Sequence, residues 1–396
     1  METPNQRNLA IDMFRGLTMA LMIAVNDVWT VNGVPHWIEH FKVMEDGMGL
    51  SDIVYPMFLF AMGMSVPLAL DRRAERGNSA ASIIGHILRR TLALLLMGAF
   101  IVNAEGEMSS IIGYGKGVYW FLMVVGFFLV WNNYKQDSKW RAPLKATGIA
   151  ILLFLAVTFR YPDGGLFRAS WWGILGQIGW MYLFCAIAYL ICRGGKEWVL
   201  AVLWGAFCLV NLISTPLREG GTLLPPNFIY DFSDALHLGN GHSVIMALGG
   251  MLLVLGERRI AESPTGRKVA TAICISASLA VIGLATHRGW IISKGLGTLP
   301  WCMFVSAISV AFYAFLRVLE KHQLTGWFKP LRPTGTATLT VYMIPYFMYV
   351  FYWFVFKIMP PAWLGGYLGF GKCILFSALC IAVAWLLEKL HIKLKI

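Results

Sequence analysis

Twelve separate apolar runs, most of them close to the length that crosses a lipid bilayer, leave this chain little choice of fold. They fall near residues 9–28, 52–70, 87–103, 117–133, 146–159, 172–192, 197–214, 241–256, 269–286, 298–316, 335–356 and 366–388. A helix crossing the hydrocarbon core needs about 20 predominantly apolar residues. The run at 146–159 is short and reaches that length only by borrowing residues 159–161, so the expected count is twelve, or eleven without it. Of the 396 residues 58% are hydrophobic and 14% charged, where a soluble domain carries roughly 25% charged residues. No polar stretch is long enough to form a separate soluble domain; the longest, 215–240, is rich in Gly and Pro. The expectation is an all-α, polytopic integral membrane bundle forming a single domain over residues 1–396.

Charge gives the bundle an orientation. With strict alternation from an inner N-terminus, the inner segments are 1–8, 71–90, 134–145, 193–196, 257–268, 317–332 and 389–396, and they hold 23 Lys and Arg. The outer segments hold nine, and Arg15 alone lies within a helix. That bias fits the positive-inside rule. The net charge of +12 is therefore topological, with anionic inner-leaflet lipid rather than nucleic acid as its partner. A multi-pass protein of the inner (plasma) membrane follows, with both termini cytoplasmic. The first run contains Asp12 and Arg15 and no small-residue cleavage site follows it, so it reads as a membrane helix rather than a removable signal. The seven cysteines lie in or at the ends of apolar runs without a CxxC, which suits small buried hydrophobes and gives no metal or disulfide signal.

Ionisable groups inside membrane helices are costly and point to function. The first helix carries Asp12, Arg15, Asn26 and Asp27. Asp12 and Arg15 are three residues apart and can pair. Arg15 and Asn26 are eleven apart, nearly a whole number of turns, which puts them on one face roughly 16 Å apart along the axis. The alternative is a structural ion pair and an interfacial cap. The outer loop 28–51 then supplies His36, Glu39, His40, Lys42, Glu45 and Asp46, and Asp52 opens the second helix. A histidine there suits proton transfer from an amine or alcohol, or is a bystander. Asp52 suits an orienting carboxylate or a helix cap. His242, after Gly239-Asn240-Gly241, either lines an acceptor site or sits beside a capping Asn240.

The stretch from Asn8 to Asp27, with Ile11-Asp12-Met13-Phe14-Arg15-Gly16 and Val25-Asn26, resembles the opening signature of the heparan-α-glucosaminide N-acetyltransferase family and its bacterial-type, DUF5009-like relatives. Asp52-Ile-Val-Tyr-Pro56-Met-Phe-Leu-Phe-Ala-Met-Gly63 is similar to the family's next element, "D-L-V-F-P-x-F-L-F-x-x-G". Trp172-Gly173-Ile-Leu-Gly-Gln177 and Ile292-Ser-Lys294-Gly-Leu-Gly-Thr298 are similar to two later ones. The resemblance runs in order through most of the chain and is specific over residues 1–65. It implies a transmembrane acyltransferase that takes acetyl-CoA from the cytosol and acetylates the amine of a terminal glucosamine on the opposite side. It also implies a catalytic loop histidine and a homodimer. His40 is the matching position. Phe41 follows where the family has Ala, and the interval to Asp52 is longer, so His36 is the alternative register. The family's "D-P-E-G" element is not recognisable here.

In that chemistry His40 is the base or a transient acetyl acceptor, Asn26 a donor to the thioester carbonyl, and Asp52 or Asp27 the group orienting the imidazole. Arg15, with Asp12, meets a phosphate or the pantetheine arm of CoA, and Asp27, His36 and His242 face the acceptor, an amino sugar or glycan fragment. Arg72, Arg73, Arg89 and Arg90 are further candidates for the nucleotide. The rival classes are a secondary transporter of a small polar solute and a non-catalytic assembly partner. Against the transporter, no two-halves symmetry is evident and the charges concentrate in the first two helices and their loop.

Overall fold

The computed structural model describes residues 8–135, 137–223 and 228–396. Among them the chain forms fourteen α-helices: α1 (Leu9–Asn26), α2 (Leu50–Glu75), α3 (Ala80–Asn103), α4 (Lys116–Trp131), α5 (Arg141–Thr158), α6 (Ile174–Cys192), α7 (Trp198–Ser214), α8 (Phe228–Ala235), α9 (His242–Arg259), α10 (Thr265–His287), α11 (Leu299–Lys321), α12 (Arg332–Thr336), α13 (Thr338–Ile358) and α14 (Gly366–Lys389). The described strands are two dipeptides, β1 (Ser109–Ser110) and β2 (Phe159–Arg160), paired antiparallel.

Every one of the twelve apolar runs is a helix; α8 and α12 are the short additions. Among the described residues eight helices are long and apolar enough to span a bilayer, and three shorter ones, in α4, α7 and α13, are also apolar. The remaining long helix, α9, ends in Glu257-Arg258-Arg259. The protein is thus an all-α, multi-pass membrane bundle. Several boundaries differ from expectation: α2 runs on to Glu75 and α3 starts at Ala80, both reaching into the expected inner segment 71–90, and α5 is displaced. The run at 146–159 gains its length at the other end, from Arg141, while Phe159 and Arg160 leave the helix to pair with β1. Pro143 is tolerated there because the first turn has no intrahelical partner for its missing N–H.

Contacts divide the chain into two units. The first comprises Met1–Thr18, Pro35–Leu88 and Trp180–Arg332; the second comprises Met19–Val34, Arg89–Gly179 and Pro333–Ile396. In the first unit α2 and α9 touch backbone to backbone. A Cβ on Gly63 would lie 1.8 Å from the carbonyl oxygen of Ala247, and one on Gly250 2.0 Å from that of Phe60. Small residues at such a crossing are what membrane helices use to associate. Gly63→Ala is therefore expected to lower the thermal midpoint of the purified protein, by the ~1–3 kcal/mol typical of overpacking. Gly85→Ala, whose Cβ meets nothing within 4 Å, is the matched control and should not destabilise.

The C-terminal ends of α2, α6, α9 and α11 gather charged groups. Arg258 pairs with Asp71 at 2.7 Å, and Tyr189 donates to the same carboxylate at 2.8 and 2.9 Å. Arg317 bridges Glu257 at 2.9 Å and Glu320 at 2.6 Å. The opposite end of α2 is roughly 39 Å away for a helix of 26 residues, and it carries the polar cluster described next.

Candidate functional site

In the first unit the loop before α2 brings His40 onto the helix start. His40 Nδ1 lies 2.6 Å from Asp52 Oδ1. An ionised carboxylate only accepts, so Nδ1 carries the proton and donates. Nε2 then presents its lone pair, and it has no hydrogen-bond partner among the described residues. The imidazole side chain is 54% exposed, whereas that of Asp52 is 2% exposed. Asp52 is fixed from its other oxygen, which accepts the backbone N–H groups of Phe41 at 3.0 Å and Gly49 at 3.1 Å. It is thus both the capping carboxylate of α2 and the partner of His40.

The local sequence explains why the loop closes here. Leu50 N–H donates to Trp37 at 2.7 Å, and Ser51 Oγ donates to the Ile38 carbonyl at 2.6 Å. A Cβ at position 49 would lie 2.1 Å from the Glu39 carbonyl oxygen, so the fold admits only glycine at that crossing.

The third member of the cluster is Lys294, from the segment between α10 and α11. Its Nζ donates to the Ser51 carbonyl at 3.3 Å and lies 3.8 Å from Asp52 Oδ1. It also lies 3.2 Å from His40 Nδ1. With that nitrogen protonated the contact is a close approach and not a hydrogen bond. Burial pushes the Lys294 ammonium below its ordinary pKa, and the Asp52 carboxylate opposes the shift. The lysine is held in place by a clasp between loops. Asp46 accepts the Ile292 N–H at 2.8 Å, lies 2.9 Å from His287 Nε2 and pairs with Arg218 at 2.7 Å. Burial alone would raise the Asp46 carboxyl; these donors outweigh it and hold it below the usual carboxylate value. Ser293 Oγ donates to the Val43 carbonyl at 2.6 Å and completes the clasp.

The other candidates divide among different surroundings. His36 faces Glu45 at 2.7 Å and stacks on Phe41, on the exposed side of the loop. The Glu45 carboxyl is held low, first by the Lys42 backbone N–H and then by His36. His242 Nδ1 meets Asn240 Oδ1 at 2.7 Å, and Asn240 in turn donates to the Leu296 carbonyl at 2.7 Å. Gly241, not Asn240, stands at the N-cap of α9 with no side-chain cap bond, and Asn240 instead ties His242 to the segment that carries Lys294. Asp12 and Arg15 form the expected pair at 3.0 Å and line a cavity of about 300 Å³ with Asn8, Ser65 and Arg72.

Asn26 and Asp27 belong to the second unit. Asn26 lines a cavity of about 410 Å³ there, so it and Arg15 share a helix but not a cavity. Asp27 is fully buried and pairs with Lys372 at 2.7 Å, while Tyr349 OH donates to its other oxygen at 3.1 Å. It holds Tyr349, one of the residues lining that cavity. Two residues now prominent had no role assigned from the sequence. Lys294 sat inside a recognised motif, Ile292–Thr298, whereas Glu105, on the same cavity as Asn26, carried no pattern at all.

The fold and this cluster define a polytopic membrane protein with a histidine–carboxylate pair at one end of its helices. The family described as "Domain of unknown function (DUF5009)" matches residues 7–244, and the chain belongs to that family. Two curated proteins are similar over a shorter stretch. The heparan-alpha-glucosaminide N-acetyltransferase of Mus musculus is 36% identical over 94 residues, 24% of this chain and 13% of the relative. The protein of the same name from Homo sapiens is 35% identical over 95 residues, again 24% and 13%. The match thus spans about 13% of the length of these relatives, and the chain is a distant relative of them.

Proposed function

We propose that this chain is a transmembrane acyltransferase, a single acyltransferase-like domain over residues 1–396. It moves an acetyl group from cytosolic acetyl-CoA to the amine of a glucosamine-like sugar or glycan fragment on the outer side of the inner membrane. Both termini are cytoplasmic in this reading, in keeping with the excess of Lys and Arg on the inner segments. The observation that carries it is the 2.6 Å contact between His40 Nδ1 and the buried Asp52 carboxylate, which leaves Nε2 open as a base. The names of the two relatives support the reaction class.

In the transfer step the amine nitrogen attacks the thioester carbonyl carbon while His40 Nε2 takes its proton. The tetrahedral adduct collapses, the C–S bond breaks, and the CoA sulfur leaves with the electron pair and receives that proton from His40. Asp52 fixes the ring and balances the imidazolium, as a carboxylate does in a catalytic triad. Asn26, expected as the donor to the carbonyl oxygen, lies in the second unit and is given no part in this step. Arg15 and Arg72, two guanidiniums against the single carboxylate of Asp12, suit the phosphates of the donor. His242 and His36 are assigned to the acceptor side.

Purified protein supplied with acetyl-CoA and a panel of amino sugars is expected to release free CoA in an acceptor-dependent manner, with His36→Ala keeping kcat while its KM for the amine rises. If no acceptor raises release above the hydrolysis background, the acyltransferase reading fails. If His36→Ala alone is dead, the base is His36. Solute uptake that depends on Asp12 or Arg15 without CoA turnover would identify a transporter instead.

A further inference from the structure

Lys294 takes no proton and touches no substrate in the transfer step, yet its ammonium is built into the His40–Asp52 pair. Nζ lies 3.2 Å from His40 Nδ1 and 3.8 Å from Asp52 Oδ1, the same oxygen that Nδ1 reaches at 2.6 Å. The side chain is anchored, since Nζ donates to the Ser51 carbonyl at 3.3 Å. Its backbone is fixed on both sides. Ser293 Oγ donates to the Val43 carbonyl at 2.6 Å, and a Cβ on Gly295 would lie 3.1 Å from the Val43 Cα. Further along, Asn240 Nδ2 donates to the Leu296 carbonyl at 2.7 Å.

Charge balance gives this placement a purpose. A buried ionised carboxylate needs a counter-charge, and the Asp52 side chain is 2% exposed. Two cations are within reach of it, a protonated His40 and Lys294. If His40 supplied the charge, Nε2 would be protonated at rest and could accept nothing from an amine. With Lys294 supplying it, the ring stays neutral, donates through Nδ1 and keeps Nε2 open. The same ammonium opposes the imidazolium formed during transfer, which favours passing the proton on to the leaving sulfur. The other titratable groups around the ring are placed elsewhere. Its own loop carries Glu39, Lys42 and the His36–Glu45 pair at 2.7 Å. Asp46 is engaged with Arg218 and His287, and His242 of α9 with Asn240. We infer that Lys294 is a positioning residue that acts through His40: it is the fixed counter-charge of Asp52 that keeps the imidazole neutral and its lone pair on the exposed nitrogen. That the ring is then the base of an acetyl transfer rests on the function proposed above; the action of the lysine on the ring does not.

The test reads the protonation of His40 without needing turnover. Diethyl pyrocarbonate attacks an imidazole only through an unprotonated nitrogen, and peptide mass spectrometry of the full-length purified protein separates His40 from His36. The rate of acylation at His40 should rise with pH through a midpoint. In Lys294→Gln and Lys294→Met that midpoint should move up by about 1 pH unit, the effect of one neighbouring charge on a half-exposed ring. In Lys294→Arg it should stay near the wild-type value. Glutamine keeps a donor for the Ser51 carbonyl and so removes the charge alone. His36 should titrate alike in every variant. A structural role for the lysine predicts a changed plateau rate, through altered exposure of the ring, with the midpoint unmoved. An unmoved midpoint in Lys294→Gln, or a full shift in Lys294→Arg, overturns the inference. The acidic limb of kcat/KM for the amine should follow the same midpoint. The two proposals fail separately. A midpoint that moves in a protein without acceptor-dependent CoA release sinks only the reaction. CoA release with an acylation midpoint indifferent to Lys294→Gln sinks only the role of the lysine.

Discussion

Acceptor-dependent CoA release should fall by roughly 10²–10⁴-fold in His40→Ala, the usual worth of a general base, with the protein still folded and monodisperse. Asp52→Asn should be about as damaging, on the order of 10³–10⁴-fold, although it removes only a charge. The reason lies in the second oxygen of Asp52. Two backbone N–H groups, of Phe41 and Gly49, donate to Oδ2. An asparagine at this position must give its single carbonyl oxygen to those donors or lose both bonds. Its NH₂ group then faces His40 Nδ1 and donates where the carboxylate accepted. The imidazole is forced into the tautomer with Nε2 protonated, and the base is lost from the face that needs it. A purely structural role for Asp52 predicts otherwise. Asparagine would still cap α2, and KM and kcat would drift together with stability. The mechanism predicts a collapse of kcat with little change in KM for either substrate. Wild-type kcat in Asp52→Asn would rule out the orienting role.

How far this site could be read in advance depended on the sequence distance over which it is assembled. The helices were legible because membrane-spanning length is a direct readout of apolar run length; α5 was misplaced because hydropathy penalises Arg141 and Lys145, whose long stems can lie along the helix with their charges at the interface. The Asp12–Arg15 pair was legible because three residues on a helix make neighbours. His40 and Asp52 lie twelve residues apart, and only the crossing at Gly49 decides that they meet. Lys294 reaches the same point from across the sequence, through the clasp of Asp46 on Ile292, 246 residues away. No periodicity encodes such a contact. The same holds for Asp27, whose place in the first helix suggested substrate contact while its partner, Lys372, lies 345 residues on.

That pair carries the second large effect. Asp27 is 0% and Lys372 5% exposed, and the ammonium is held by the Asp27 carboxylate and the Thr30 hydroxyl. Lys372→Met should destabilise the protein by ~3–5 kcal/mol, the cost of leaving one buried charge unpaired. It should appear as a lower thermal midpoint and a loss of the monodisperse fraction in detergent. The double change Asp27→Asn with Lys372→Met should recover much of the loss, because it removes the stranded charge along with its partner and leaves Tyr349 a hydrogen-bond acceptor. If the double variant is no better than Lys372→Met, or if Lys372→Met is as stable as wild type, the pair does not lock this region. The lock has a consequence for the cavity. Asp27 opens the short 3₁₀ turn Asp27–Thr30, which carries Trp29, and it holds Tyr349, which packs edge-on against Trp29 at 5.6 Å. Both rings line the Glu105 cavity.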